Sequence, residues 1–301
     1  MVSQNHSLTQ PLSAELTALC EEFQCAVKLN VPMDKYTSTR VGGTADVLIL
    51  TKNADELAKV IVRLWDMDLP YVLLGGCSNI LVSDRGIREV VIINRARGLG
   101  SVKFDMESDP PVIHADAAVN FGLLARKAGQ LGLSGLEWAS GIPGTLGGAI
   151  VGNAGAHGGE IAGNLLMADI LQRNRNGQNQ LPSIASWTNE QFEFKYRSSV
   201  LKKMSNEAIV LNGVLQVSIQ DTNIIQKKSK TQMDYRKRTQ PPGASMGSIF
   251  KNPSGDYAGR LIEQAGLKGA QIGGAQISPL HANFFINTGK AKAIDIYNLI
   301  R

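Results

Sequence analysis

The chain has 301 residues, 43% of them hydrophobic and 19% charged, a balance typical of a globular protein large enough for two domains. Its net charge of +5 suits a small anionic ligand, but no long basic run or aromatic platform indicates a nucleic-acid partner. The three cysteines lack the spacing of a metal site, no apolar run reaches the ~20 residues that span a bilayer, and the N-terminus has no signal-peptide pattern, so we expect a cytoplasmic, metal-free protein.

The first hundred residues alternate between helix and strand patterns. Apolar residues recur with helical spacing over residues 12–23, and Asn53 with Glu56 predicts a capping box at the start of a second helix. Three segments have strand patterns, namely ADVLIL (45–50), YVLLGG (71–76) and EVVIIN (89–94). This alternation predicts an α/β unit.

The pattern continues after residue 110 and is interrupted by glycine. PVIHADAA predicts a strand, NFGLLARKAGQLGL a helix capped by Asn120, and strands return at 165–171 and 208–219. Between them, residues 135–159 are dominated by glycine and predict little regular structure.

The C-terminal third predicts a second, smaller unit. Residues 222–240 predict a charged helix that ends at Pro241, and residues 282–287 predict a strand. A last helix begins near Lys290. We therefore divide the chain into a lead-in and two domains, namely 1–35, 36–220 and 221–301.

Two glycine-rich loops are candidates for binding a ligand through exposed backbone. LLGGCSNILVSD (73–84) follows a strand, and its consecutive glycines with Ser78 and Asn79 can cradle a diphosphate. GIPGTLGGAIVGNAGAHGG (141–159) is too long and too apolar for a simple turn. Two such segments favour an extended flavin-type cofactor, although a buried, tightly packed linker also accounts for the second one.

A third loop, SMGSIFKNP (245–253), combines a hydroxyl with groups that attract anions. Gly247 allows close approach to the backbone beside Ser248, and Lys251 and Asn252 can bind an anion. The alternative is a polar turn between two elements.

These segments occur in an order that is similar to a known family. The ordered set is RVGGTADVLIL (40–50), GGCSNILVSD (75–84), GLEWASGIPGTLGGAIVGNAGAHGGEI (135–161), FKYRSS (194–199), GSIFKNP (247–253) and AGRLIEQAGLKGAQIGGAQISPLHANFFIN (258–287). Together they resemble the UDP-N-acetylenolpyruvoylglucosamine reductase (MurB) family, from about Tyr36 to the end of the chain. The short interval between Tyr196 and Ser248 resembles the compact form of the family, which lacks an extra substrate-covering insertion.

The resemblance implies an α+β fold. An FAD-binding domain of the vanillyl-alcohol-oxidase (PCMH) type would be followed by a smaller α+β substrate-binding domain. The residues that would bind FAD are Gly75, Gly76, Cys77, Ser78, Asn79, Ile80, Gly141, Ile142, Pro143, Gly144, Thr145, Gly147, Gly148, Asn153, Ala154 and Gly155.

The resemblance also implies a reaction and its residues. NADPH would reduce FAD, and hydride would then pass to UDP-N-acetylglucosamine enolpyruvate, giving UDP-N-acetylmuramate for peptidoglycan synthesis in a monomeric enzyme. Arg197 matches the family arginine that stabilises the developing negative charge, and Ser248 matches the proton donor. The implied substrate contacts are Tyr196, Arg236, Arg238, Lys251, Asn252 and Gln276, and which basic residue among 236–238 meets the UDP diphosphate stays open.

Two departures from the family pattern leave alternatives open. The chain stops at Arg301, before the segment in which the family carries a catalytic glutamate, so we expect reduced turnover with intact FAD binding where that acid is lacking. Cys77 stands where the family pattern usually has a third glycine. The alternatives are a non-catalytic FAD- or UDP-sugar-binding protein and an oxidase of the same flavin fold.

Overall fold

The computed structural model describes residues 14–23, 26–173, 181–204 and 206–301. Within these ranges the helices are α1 (Ala14–Glu22), α2 (Ala54–Asp66), α3 (Phe121–Gln130), α4 (Leu146–Gly152), α5 (Thr222–Thr239), α6 (Ala258–Gln264) and α7 (Ala293–Ile300). The strands are β1 (Val27–Pro32), β2 (Thr44–Thr51), β3 (Tyr71–Leu74), β4 (Val90–Asn94), β5 (Val102–Asp105), β6 (Val112–Asp116), β7 (Leu133–Ser134), β8 (Gly155–Ala156), β9 (Gly159–Glu160), β10 (Leu165–Gln172), β11 (Ser183–Thr188), β12 (Ala208–Val210), β13 (Asn212–Gln216), β14 (Ser218–Ile219), β15 (Gln271–Ile272), β16 (Ala275–Ile277) and β17 (Phe285–Asn287).

The first sheet has the strand order β1-β2-β4-β3 and is parallel except for β1. Its central strands are buried on both faces, which explains their nearly continuous apolar runs. Ile49 and Ile92 pack towards α2, whereas Leu48 and Val91 pack on the opposite face with Cys77. The predicted α/β unit is therefore confirmed, and the carboxyl end of β3 leads directly into the loop that starts at Gly75.

Both predicted N-cap residues are confirmed, but the capping box predicted for Glu56 is not formed. Asn53 Oδ1 accepts a hydrogen bond from Glu56 N at 2.8 Å, and Asn120 Oδ1 accepts one from Leu123 N at 2.8 Å. The Glu56 carboxylate accepts from Lys52 N at 2.9 Å, one residue before the predicted partner. Both caps are local, so the sequence alone identifies them.

The second sheet is antiparallel, in the order β11-β10-β13-β6-β5, with β12 paired to β10. Residues 208–219, predicted as one strand, form three short strands, because Leu211 and Val217 interrupt the pairing. Helix α2 lies between the two sheets, since Leu171, Ile209 and Leu211 join its apolar cluster. Helices α3 and α4 pack on the second sheet.

The glycine-dominated segment has more regular structure than predicted. Residues 146–152 form α4, whose N-terminus is capped by Thr145 Oγ1, and β8 and β9 form a hairpin directly after it. Ala and Leu within the glycine run supply enough buried apolar surface for a short helix against the second sheet. The expectation of little regular structure was therefore wrong here.

The C-terminal elements pack against the chain on either side of the first glycine loop. Val41 and Leu81 join an apolar cluster formed mainly by residues 246–300. Asp84 accepts hydrogen bonds from Ala293 N at 2.8 Å and Ile294 N at 2.9 Å and so caps α7. The boundary near residue 220 remains a prediction. In the described part of the chain no helix is long and apolar enough to cross a membrane.

Candidate active site

The two predicted glycine loops lie directly against each other. A Cβ atom built on Gly76 would lie 2.8 Å from Gly144 Cα, and one on Gly75 would collide with the Thr145 hydroxyl. Ser78 Oγ donates to Pro143 O at 3.2 Å. Glycine at these positions is therefore required by backbone approach, and segments almost 70 residues apart form one surface.

This surface presents unused backbone donors. Among the described residues, none of the N–H groups of residues 76–80 donates to a protein acceptor. Asn79 is exposed beside them. A run of free N–H groups on a glycine loop is the arrangement that binds phosphate oxygens, so the loop fits a diphosphate.

Cys77 occupies a conformation that favours glycine. Its φ is +50°, its side chain is buried, and burial raises the pKa of its thiol to about 11. Its Sγ lies 3.7 Å from Gly75 O, and its apolar body packs in the cluster beneath the first sheet. The thiol is thus held neutral and inward, and the loop keeps the turn that a glycine would make.

The second loop is joined to the FKYRSS segment through Asn153. This residue is buried at φ +43°, and its amide donates to Lys195 O at 3.1 Å while its oxygen accepts from Ala162 N at 3.0 Å. The side chain predicted to bind FAD is therefore engaged within the protein. The bond to Lys195, two residues before Arg197, holds Asn153 close to Arg197.

Arg197 lies on the second loop with its guanidinium on the loop carbonyls. Nη2 donates to Gly155 O at 2.5 Å, and Nη1 lies 3.5 Å from Asn153 O. The residue itself has a φ of +55°, and Lys202 Nζ donates to its carbonyl at 2.6 Å. Lys202 thus supports the unusual backbone of Arg197, a role that no motif in the sequence indicates.

Ser248 is exposed, and its loop contacts the segment that contains Arg197. Residue 248 bridges to Phe284, and Asn252 N lies 3.4 Å from the Tyr196 hydroxyl, next to Arg197. Burial, together with nearby Lys251 and Arg197, lowers the pKa of Lys202. The structure therefore brings Arg197, Lys202 and the Ser248 loop into one electropositive region that suits an anionic substrate.

The other predicted substrate residues are less closely connected. Gln276 Nε2 lies 3.3 Å from Gly269 O, and no hydrogen bond in the described chain joins Gln276 to Ser248 or Arg197. Asn252 Oδ1 accepts from Ala258 N at 3.1 Å, at the start of α6. Arg238 is exposed near the end of α5, whereas Arg236 is half-buried against Gly141.

A buried carboxylate anchors α5 to the glycine-rich segment. Glu137 is 3% exposed and accepts from Ser134 Oγ at 2.6 Å, Gly135 N at 3.0 Å and Lys228 Nζ at 3.4 Å. Burial raises the pKa of Glu137, but these hydrogen bonds and the Lys228 charge outweigh burial and leave the pKa below its ordinary value. No sequence pattern indicates this pair, because its members are 91 positions apart.

Replacing Glu137 with glutamine is expected to lower the free energy of unfolding by about 1–3 kcal/mol at neutral pH, because a charged acceptor of three bonds is lost. Since the folded-state pKa is lowered, the carboxylate stabilises the fold fully above about pH 4.5 and progressively less as the pH falls through that pKa. Urea denaturation at a series of pH values measures the difference from wild type. The exposed Glu107→Gln variant is the control, and a difference that does not shrink in acid would contradict the prediction.

Comparison with known proteins agrees with this geometry. Residues 45–173 match the model of an FAD binding domain, and residues 238–301 match that of the UDP-N-acetylenolpyruvoylglucosamine reductase C-terminal domain. The chain is 40% identical over 275 residues to the UDP-N-acetylenolpyruvoylglucosamine reductase of Bacillus subtilis (strain 168), covering 91% of this chain and 86% of that one. It is 37% identical over 285 residues to that of Chloroflexus aggregans, covering 93% and 92%.

A solved structure shows the same fold. The crystal structure of UDP-N-acetylenolpyruvylglucosamine reductase (MurB) from Thermus caldophilus superposes with a TM-score of 0.74 at 33% identity, covering 91% of this chain and 92% of that one. The predicted family, the FAD cofactor and the α+β fold with an FAD-binding domain are thereby confirmed. The chain belongs to the UDP-N-acetylenolpyruvoylglucosamine reductase (MurB) family of FAD-dependent oxidoreductases.

Proposed function

We propose that this chain uses NADPH and FAD to reduce UDP-N-acetylglucosamine enolpyruvate to UDP-N-acetylmuramate, in the cytoplasm and for peptidoglycan synthesis. The observation that carries the proposal is the contact of Arg197 with the carbonyls of Asn153 and Gly155 in the second glycine loop. The preceding residue, Tyr196, contacts Asn252 of the Ser248 loop. These contacts support a shared site for Arg197, the Ser248 loop and the two glycine loops.

The glycine loops would hold FAD by its diphosphate and along the ring system. Residues 76–80 would offer their free N–H groups to the diphosphate, and the segments 141–148 and 153–155 would lie along the rest of the cofactor. When bound, FAD supplies hydride transfer to the substrate.

Arg197 and Ser248 would act on the substrate. The planar guanidinium of Arg197 can bind the enolpyruvyl carboxylate in two places and stabilise the negative charge that develops there. Ser248 Oγ would donate a proton to the carbon that carries this charge. A serine hydroxyl is a weak acid, and the positive charges of Lys202 and Lys251, which lie close enough to affect each other, would lower the cost of the alkoxide that remains.

The test is an anaerobic titration of the purified full-length protein followed by its absorption spectrum. NADPH is expected to bleach the flavin absorbance, and UDP-N-acetylglucosamine enolpyruvate is expected to restore it with formation of UDP-N-acetylmuramate. Bound flavin that neither reagent changes would favour a non-catalytic binding protein. Flavin that an alcohol bleaches and NADPH does not would favour an oxidase.

Replacing Gly76 with alanine is expected to weaken FAD binding about tenfold or more, because the new Cβ would press on Gly144 Cα and separate the two loops. Fluorescence titration with FAD measures the change in affinity, and circular dichroism checks the fold. Gly163→Ala is the matched control, since no atom lies within 4 Å of a Cβ built there. Equal affinities of the two variants would contradict the assignment of this loop.

A further inference from the structure

The two cofactor loops carry no positive charge of their own. Residues 75–80 and 141–155 contain no lysine or arginine. Backbone N–H groups supply partial charges to a diphosphate, but they cannot neutralise an anion that is partly removed from water. A cation from another segment would add the full positive charge that this surface lacks.

Arg236 of α5 packs against the second loop. Its Cδ and Nε atoms are 3.2 Å and 3.3 Å from a Cβ built on Gly141. Gly141 lies two residues before Pro143, whose carbonyl accepts a hydrogen bond from the Ser78 hydroxyl of the first loop. The side chain of Arg236 thus packs on the second loop, close to the place where the two loops meet.

The Arg236 guanidinium has no partner of its own in the described part of the chain. It forms no hydrogen bond or salt bridge with the described residues, although it is half-buried and burial lowers its pKa. The neighbouring side chain of His157 supplies no anion for Arg236. Burial and the positive charge of Arg236 both lower the pKa of His157. By contrast, Lys230 on the same helix pairs with Asp234. A half-buried cation without an anionic partner, next to a loop assigned to a cofactor, suits a ligand that supplies the anion.

We propose that Arg236 binds FAD rather than the UDP diphosphate of the substrate, and that its guanidinium takes an anionic oxygen of the cofactor. The oxygen belongs either to the diphosphate or to the reduced pyrimidine ring, since both are anionic and a guanidinium binds either. The inference rests on the assignment of the two glycine loops to FAD. It changes the role that the sequence predicted for Arg236.

The test compares Arg236→Gln with Lys237→Gln, its neighbour on the exposed side of α5. The affinity for oxidised FAD and the midpoint potential of the bound flavin are measured for both variants. If the diphosphate is the ligand, Arg236→Gln weakens binding of oxidised FAD by about tenfold to a hundredfold, as expected for one charge-assisted bond. If the reduced ring is the ligand, that affinity changes little and the potential becomes more negative. Lys237→Gln is expected to change neither.

Two further variants separate charge from folding. Arg236→Lys keeps the positive charge and is expected to recover most of the lost affinity or potential. Gly141→Ala keeps Arg236 but places a methyl group against its Cδ, so it is expected to weaken FAD binding in the wild type and much less in the Arg236→Gln background. Additive effects of Gly141→Ala and Arg236→Gln would count against the proposal.

The outcomes distinguish this inference from the proposed function. FAD binding by the wild type is measured first, and its absence would overturn the loop assignment and this inference together. If the wild type binds FAD and Arg236→Gln changes only the KM for the UDP-sugar substrate, Arg236 is a substrate ligand and this inference alone is overturned.

Discussion

Replacing Ser248 with alanine is expected to leave FAD bound and reducible by NADPH while turnover falls by about 10²- to 10⁴-fold, the usual loss when a positioned proton donor is removed. Ser248 is exposed, and only the bridge of its backbone to Phe284 ties it to the described structure, so the substitution removes a hydroxyl and little packing. Stopped-flow spectroscopy follows the two half-reactions separately. Only reoxidation of the flavin by the enolpyruvyl substrate should slow.

The matched control for this experiment is Ser254→Ala, an exposed serine directly after the end of the same loop. It removes an identical group a few residues away and is expected to change neither half-reaction. If Ser248→Ala lost FAD instead, the loop would belong to the cofactor site. If reoxidation stayed at the wild-type rate, another group would donate the proton.

Replacing Arg197 with methionine is expected to lower kcat by about 10²- to 10³-fold, because a fixed cation at the developing carbanion would be lost. The guanidinium also holds the carbonyls of Asn153 and Gly155, so a modest loss of FAD affinity should accompany the effect. Arg197→Lys keeps the charge but lacks the planar guanidinium, so its kcat is expected to lie between those of the wild type and Arg197→Met. Steady-state kinetics with FAD titration separates kcat from cofactor affinity.

Lys195→Met is the control for the charge itself. Lys195 is exposed and lies two residues before Arg197, so the same charge is removed from the same segment. Turnover is expected to stay near the wild-type value. An Arg197→Met variant that lost FAD affinity but kept kcat would show that Arg197 only positions the loop.

The sequence by itself determined the features that depend on neighbouring residues. Asn53 and Asn120 cap helices through bonds to residues three positions on, and the apolar runs of β2 and β4 reflect burial on both faces. The glycine loops and the Ser248 loop are recognisable because their composition is local. In contrast, β1, β5 and β11 were not predicted. Each lies at a sheet edge, where one-sided pairing leaves a weak pattern, whereas the edge strand β3 is recognisable from its apolar run.

Only the tertiary structure decided how distant segments meet. Gly76 touches Gly144, Glu137 holds Lys228, and Arg236 packs on Gly141 rather than standing free beside Arg238. Each contact joins residues tens of positions apart, and neither periodicity nor composition carries that information. Backbone approach and burial are properties of the packed chain, so the partner of a glycine or a charge becomes known only when the chain has folded.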